Sequence, residues 1–234
     1  MSEAKAARAW ASPGGRAAVV LGRSQRPPAV PWSAPFPLPV RRRASGGGAV
    51  LAGPWLLCAL VRLPRDHPLA QHGPAVLARW LGSVHLQWMR QRGFEGAALH
   101  AGPHRDHWAC FAGLSPGEVT LGARKLTGIA QAWRRSGVVA GAGTLLYAPP
   151  WSLLCEALQR PLSDAVELAA TTASLSECCE RQPPAAALAR SLQVMLQSAL
   201  RDHAQAGPET AGPSRERARM DEALPSLPAP RPPR

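Results

Sequence analysis

"RRRASGGGAV", residues 41–50, sets three arginines directly before a serine and three consecutive glycines, then returns to small apolar residues. Glycine lets the backbone come close to a ligand and offers its N–H groups to phosphate oxygens, while arginine neutralises charge and can bond two oxygens at once. The stretch therefore reads as a loop for a nucleotide phosphate or an acyl phosphate. It is neither a Walker A loop nor G-x-G-x-x-G, and an ordinary Gly-rich turn has the same composition.

The segments flanking the loop read as strands. "AAVVLG" (17–22) is a short apolar run ended by glycine, and "AVLAGPWLLCALVRL" (49–63) reads as one or two strands with a kink or bulge at Gly53-Pro54. Between them the Pro-rich "RPPAVPWSAPFPLP" is excluded from helix and central strand and must be a long loop. Leu77, Leu81, Val84 and Trp88 recur at helical spacing, predicting a helix over 74–92 stopped by Gly93. Residues 97–148 are short apolar segments punctuated by glycine, the texture of antiparallel strands joined by tight turns. Helices are expected at Trp151–Leu158 after Pro149-Pro150, near Ala173–Arg181 and over Pro184–His203. No internal repeat is visible. The expected organisation is an N-terminal arm (1–16), one domain (17–204) and a disordered tail (205–234) with seven prolines and few apolar residues.

A length of 234 residues with 46% hydrophobic content is enough for one good-sized core. The five cysteines (Cys58, Cys110, Cys155, Cys178, Cys179) are odd in number and scattered except for one adjacent pair, and the first residues hold no continuous apolar stretch of the secretory kind, so a reducing, cytoplasmic setting is expected. The longest apolar run, 49–61, is interrupted by Gly-Pro and is short of a bilayer span, so no membrane partner is expected. The formal charge of +12, with eight basic residues against one acidic in residues 1–43, calls for an anionic partner. Nucleic acid is disfavoured, because aromatic residues make up only 5% of the chain, with one Tyr and three Phe beside the tryptophans, and no nucleic-acid-binding signature is present. All but two of the 27 basic residues are arginine; the exceptions are Lys5 and Lys125, so Lys125 invites a chemical explanation.

Five ordered segments then become more specific together than any one alone: "VVLGRSQ" (19–25), "RRASGGGAV" (42–50), "CFAG" (110–113), "ARKLTGIAQ" (123–131) and "GTLL" (143–146). Over roughly 17–200 the chain resembles the catalytic domain shared by lipoate-protein ligases and the wider biotin/lipoate ligase family. The resemblance implies an α+β fold, with a mixed, mainly antiparallel sheet and packed helices. It also implies ATP-dependent activation of lipoate or octanoate as an acyl-adenylate, with Mg2+ accompanying ATP, followed by transfer to a lysine of an acidic lipoyl-domain acceptor. Carried over by position, it assigns the adenylate pocket to Arg42, Arg43, Ser45, Gly46, Gly47, Gly48, Ala49 and Gly128, and the contact to acyl carboxylate and phosphate to Lys125. A compact ammonium would suit that charge better than a planar guanidinium, so Lys125→Arg is expected to be nearly as damaging to the chemistry as Lys125→Ala, with the fold surviving both.

The chain departs from the family where H-D-x-G-N would follow the glycine loop, having Leu51, Ala52, Gly53 and Pro54 instead, and where histidines would precede G-T-L-L, having Gly141 and Ala142. It is also expected to open almost at its first strand. His100, His104, His107 and Cys110 fall within eleven residues but match no standard zinc spacing, and a solvated loop is the better reading; no metal site is assigned. Cys155 is a candidate thioester nucleophile for an ATP-independent octanoyl or lipoyl transferase, although "WSLLCEAL" places it on the apolar stripe of a helix. Cys178 and Cys179 are weaker candidates, and a non-catalytic relative that binds an acyl ligand or a carrier is the third reading.

Overall fold

A computed structural model describes residues 6–28, 38–178 and 183–205. The disordered-tail expectation, most of the Pro-rich loop and Cys179 lie outside these residues. The strands are β1 (Arg8–Pro13), β2 (Ala18–Leu21), β3 (Val40–Arg42), β4 (Val50–Ala52), β5 (Leu56–Pro64), β6 (Ala97–Leu99), β7 (Val119–Leu121), β8 (Arg124–Arg134) and β9 (Gly137–Leu145). The helices are α1 (Pro68–Gln71), α2 (Pro74–Arg90), α3 (Trp151–Ala157), α4 (Ser163–Thr171) and α5 (Ala185–Gln205). Six strands form one antiparallel sheet in the order β1-β5-β9-β8-β7-β6, and three form a second in the order β3-β2-β4, where β2 and β3 run parallel. This is the α+β, mainly antiparallel architecture expected from the sequence.

Strand alternation puts successive side chains on opposite faces. On β5, Leu57, Ala59, Val61 and Leu63 face one way; with Val138, Ala140 and Ala142 of β9 they meet Leu77, Leu81, Val84 and Trp88 of α2 and Leu188, Leu192, Leu196 and Leu200 of α5 in the main core. The four α2 positions are those picked out by helical spacing. A second core joins Val19, Leu21, Ala49 and Leu51 of the small sheet and its loop to Phe111, Leu145, Trp151, Leu154 and Cys155. Among the described residues no helix is long and apolar enough to cross a membrane.

Two elements differ from the sequence reading. Residues 8–13, expected to be an arm ahead of the first strand, form the edge strand β1. Their backbone is tied to α5 by Ala11 N–H donating to Gln193 Oε1 (3.1 Å) and Gln197 Nε2 donating to the Ala9 carbonyl (3.3 Å). The helix expected from Ala173 is instead a single 3-10 turn, Leu175–Glu177, with a Ser174/Glu177 capping box, and α4 precedes it. Helix α4 buries only Leu168 while Leu162 and Val166 stand exposed, so its sequence carries little amphipathic signal.

Candidate functional site

The opposite face of the six-stranded sheet is almost bare of side chains at its centre. Register aligns Gly128, Gly143 and Cys58 in one row across β8, β9 and β5, and Ala130, Gly141 and Leu60 in the next. Ala132, Val139 and Arg62 form a third row, followed by Arg134 beside Gly137. Above this floor, beside a second cavity that joins Ala44 and Gly46 of the glycine loop to Ala132, Trp133 and Arg134, lies a cavity of about 640 Å³, lined also by Arg43, Ala44, Ser45, Cys110, Phe111, Arg62 and Arg134. Its volume is within the range of small-ligand sites, and its floor is apolar and flat because glycine and alanine occupy the central positions.

The glycine loop closes one end. Arg43 folds back on its own backbone: Nη2 donates to the carbonyls of Gly46 (2.8 Å) and Gly48 (2.7 Å), and Nε donates to Gly46 (3.2 Å). Burial pulls its pKa below the usual arginine value, and Cys110 opposes that shift. The guanidinium next to the glycines therefore braces the loop from within. Each glycine has its own reason. Gly47 holds φ of 90°, which favours glycine; a Cβ on Gly48 would stand 2.6 Å from the carbonyls of His107 and Trp108; Gly46 has open space around it. Ala49 is buried and bonds across to Trp108 and Cys110, whereas Arg42 is exposed at the end of β3 and Ser45 lines the cavity. The "GRSQ" turn is pinned by Gln25, which accepts from Gly22 N–H (2.9 Å) and donates to the Trp108 carbonyl (2.8 Å).

Lys125 lies beneath the floor. Its ammonium donates to Glu118 Oε1 at 2.7 Å, to the Cys110 carbonyl at 2.8 Å and to the Gly113 carbonyl at 3.1 Å, with both charged side chains nearly inaccessible. Glu118 in turn accepts from the backbone N–H groups of Ser115 (2.8 Å) and Ile129 (3.0 Å). All three ammonium donors are occupied by the protein. The expectation that the fold tolerates loss of Lys125 is therefore revised, since removing it would strand a buried carboxylate. Gly128 separates the ammonium from the cavity: a Cβ there would lie 3.0 Å from Lys125 Cε, 3.4 Å from Nζ and 3.7 Å from Cys110 Sγ. A missing side chain at 128 thus brings the lysine within reach of the floor.

Among the cysteines, Cys110 lines the cavity, whereas Cys155 is fully buried in the second core, where desolvation raises its pKa. The structure thus places a different thiol beside the lysine from the one singled out in the sequence. The clustered histidines do not converge: His104 bonds Ser115 and Asp106, His100 bonds the Pro103 carbonyl, and His107 accepts from Ala109 N–H. Among the described residues no group of three His, Cys, Asp or Glu side chains could hold a metal. Sequence reasoning missed Glu118, the partner of Lys125, whose one signal was to be a lone acid in the otherwise apolar "GEVTL".

Comparison with known proteins places this geometry. A search of curated protein sequences finds no match. Among solved structures, lipoate-protein ligase A bound with ATP shares 17% identity over 84% of this chain and 79% of its own, with a TM-score of 0.57. A lipoate protein ligase of T. acidophilum solved with lipoic acid shares 16% over 84% and 79% (TM-score 0.59), and the bi-partite lipoate protein ligase of Thermoplasma acidophilum, studied with its E2 lipoyl domain, shares 17% over 84% and 78% (TM-score 0.53). At these identities the likeness is one of fold. The profile of the "Lipoyl protein ligase A/B catalytic domain" matches residues 10–197, most of the chain. The glycine loop, the bare-floored sheet and the buried lysine all fall within that match, and the chain belongs to the lipoyl protein ligase A/B catalytic-domain family.

Proposed function

We infer that this protein activates a medium-chain acyl carboxylate, lipoate or octanoate, with ATP and transfers the acyl group to a lysine of an acidic acceptor lipoyl domain. The observation that carries the reading is the cavity itself: an apolar floor that fits an acyl chain, ending at the glycine loop, Arg43 and the ammonium beneath Gly128. The structural neighbours solved with ATP and with lipoic acid, and the one studied with its E2 lipoyl domain, support it. ATP supplies the adenylyl group: a carboxylate oxygen attacks the α-phosphorus and pyrophosphate leaves. The acceptor amine then attacks the acyl carbon and AMP leaves.

The protein's own groups position the reacting ends. Open space at Gly46, beside the exposed Arg41 and Arg42, leaves the outer face of the loop accessible to phosphate oxygens. Lys125 meets the acyl phosphate by exchanging its longest bond, to the Gly113 carbonyl, for a ligand oxygen, while Glu118 fixes its position. Ser45 borders the same end. Magnesium would arrive on the nucleotide, held by its phosphate oxygens.

A second reading, transfer through a cysteine thioester without ATP, rests on Cys110, because its sulfur lines the cavity and lies, like the Lys125 ammonium, next to Gly128. Intact-mass measurement of an acceptor lipoyl domain separates the two. With free lipoate, labelling that needs ATP and persists in Cys110→Ser is the ligase result. Labelling from octanoyl-carrier protein without ATP, abolished by Cys110→Ser, would replace it with the transferase.

A further inference from the structure

Three glycines of β8 and β9 line the cavity, and they are not equivalent. A Cβ on Gly143 would stand 3.1 Å from Leu56 Cδ1, and one on Gly128 would stand 3.0 Å from Lys125 Cε, so packing accounts for both. Gly141 has no such reason. It lies in the middle of β9, paired with Leu60 of β5 on one side and Ala130 of β8 on the other, where β-branched residues are the usual choice and glycine weakens the strand. Its φ is outside the positive range that calls for glycine, and the nearest atoms an added Cβ would meet among the described residues are the Ala59 carbonyl oxygen at 3.7 Å and Leu60 Cδ1 at 3.9 Å, ordinary contact distances. With neither backbone nor packing requiring it, the missing side chain leaves room for a ligand. Gly141 is also the diagonal neighbour of Gly128, whose direct partner on β9 is Gly143, and such diagonals lie about 7–8 Å apart. An extended acyl chain covers about 6 Å from its carboxyl carbon to its sixth carbon, at roughly 1.5 Å per zigzag C–C bond. A carboxylate at Gly128 therefore brings the sixth carbon over Gly141.

We propose that Gly141 determines acyl specificity: it opens the floor for a five-membered ring that begins at the sixth carbon of the acyl chain, so the substrate is an acid with a cyclic tail, lipoate with its dithiolane, in preference to straight-chain octanoate. This rests on the reading that the reacting carboxylate lies beside Gly128. A ring is wider than a methylene chain, and its added apolar surface is buried only where the floor carries no side chain; a straight chain leaves that space unfilled. A side chain at position 141 would take the volume of the ring.

Calorimetric titration of the full chain with lipoic, octanoic and 5-cyclopentylpentanoic acids tests it, the last carrying a carbocycle in place of the dithiolane. Wild type is expected to bind both cyclic acids about tenfold more tightly than octanoate, the scale of an extra methylene in an apolar pocket. Gly141→Val should bring that ratio to about one, and Gly141→Ala should lower it partway. Both variants should melt no lower than wild type, because a side chain suits a central strand with open space above it. A wild-type ratio of one or less, or a ratio unmoved by Gly141→Val, overturns the proposal. A lower melting temperature in Gly141→Ala overturns it too, by showing that packing had required the glycine. So does cyclopentylpentanoate binding only as well as octanoate, which would mean that sulfur and not ring volume is recognised. If the ring preference and its loss in Gly141→Val are both present but no acid releases pyrophosphate from ATP, the activation reading fails while the specificity assignment stands.

Discussion

Lys125→Ala is expected to damage the fold as well as the chemistry, and the pair with Glu118 sets the size of the effect. The substitution removes an ammonium that bonds Glu118 Oε1 at 2.7 Å and two backbone carbonyls, and leaves the carboxylate buried with only the N–H groups of Ser115 and Ile129. Breaking a buried pair from one side costs about 3–5 kcal/mol. Against a total stability of about 5–15 kcal/mol this is a large fraction, equivalent to a fall in Tm of about 6–20 °C for a domain of this size. Lys125→Arg should also destabilise, by about 1–3 kcal/mol, because a larger planar guanidinium must fit the buried site that the ammonium fills between Glu118 and the Cys110 and Gly113 carbonyls. The double variant Lys125→Met/Glu118→Gln removes both charges and should recover most of the loss, so it and its own singles, Lys125→Met and Glu118→Gln, will be strongly non-additive. Urea denaturation followed by circular dichroism gives the stabilities of the wild type and of each variant. A cost for Lys125→Ala below about 1 kcal/mol, as for an exposed pair, or a double variant equal to the sum of its singles, would refute the reasoning.

Two further outcomes follow from local geometry. At Gly22 a Cβ would stand 1.9 Å from the Gly47 carbonyl oxygen, a backbone atom that cannot swing away, so Gly22→Ala should lower Tm and loosen the glycine loop, measured by faster amide exchange over 43–48. His85 is fully buried on α2, its Nδ1–H donating to the Leu81 carbonyl at 2.8 Å, and burial pushes its pKa down from 6.5 to about 4 against the opposing effect of that hydrogen bond. The unfolded chain binds the proton near pH 6.5, so the contribution of neutral His85 is complete above that pH. It is lost as pH falls toward 4, a swing of about 3 kcal/mol that His85→Leu should abolish in denaturation curves taken across that window. An unchanged pH slope in His85→Leu would assign the acid sensitivity elsewhere.

The elements with strong local periodicity were legible from the sequence: α2 through its i, i+4, i+7 leucines and valine, β8 and β9 through glycine-punctuated apolar runs, and the loop through three consecutive glycines. Residues 8–13 were not, because "RAWASP" becomes a strand only by pairing with β5 and under α5, where Gln193 and Gln197 bond its backbone, and all of these partners are far away in sequence. Lys125 was noticed for the right chemical oddity, yet its partner could not be named, since Glu118 reaches it only through the bulged pairing of β7 and β8. Cys110 and Arg134 likewise gain meaning from register, which sets Gly128, Gly141 and Gly143 side by side and opens the space around them. The role expected of the arginines also divided, with Arg43 bracing the loop and Arg42 left exposed.

Pyrophosphate release tests the central claim most directly: purified protein, ATP with Mg2+, and lipoate or octanoate, followed by a coupled pyrophosphate assay and by mass detection of acyl-AMP. Acyl-dependent pyrophosphate release, retained in Cys110→Ser and lost in a Gly128→Val variant that walls Lys125 off from the cavity, is the expected result. Absence of any acyl-dependent pyrophosphate, with acyl transfer proceeding from a carrier thioester through Cys110 instead, would contradict it.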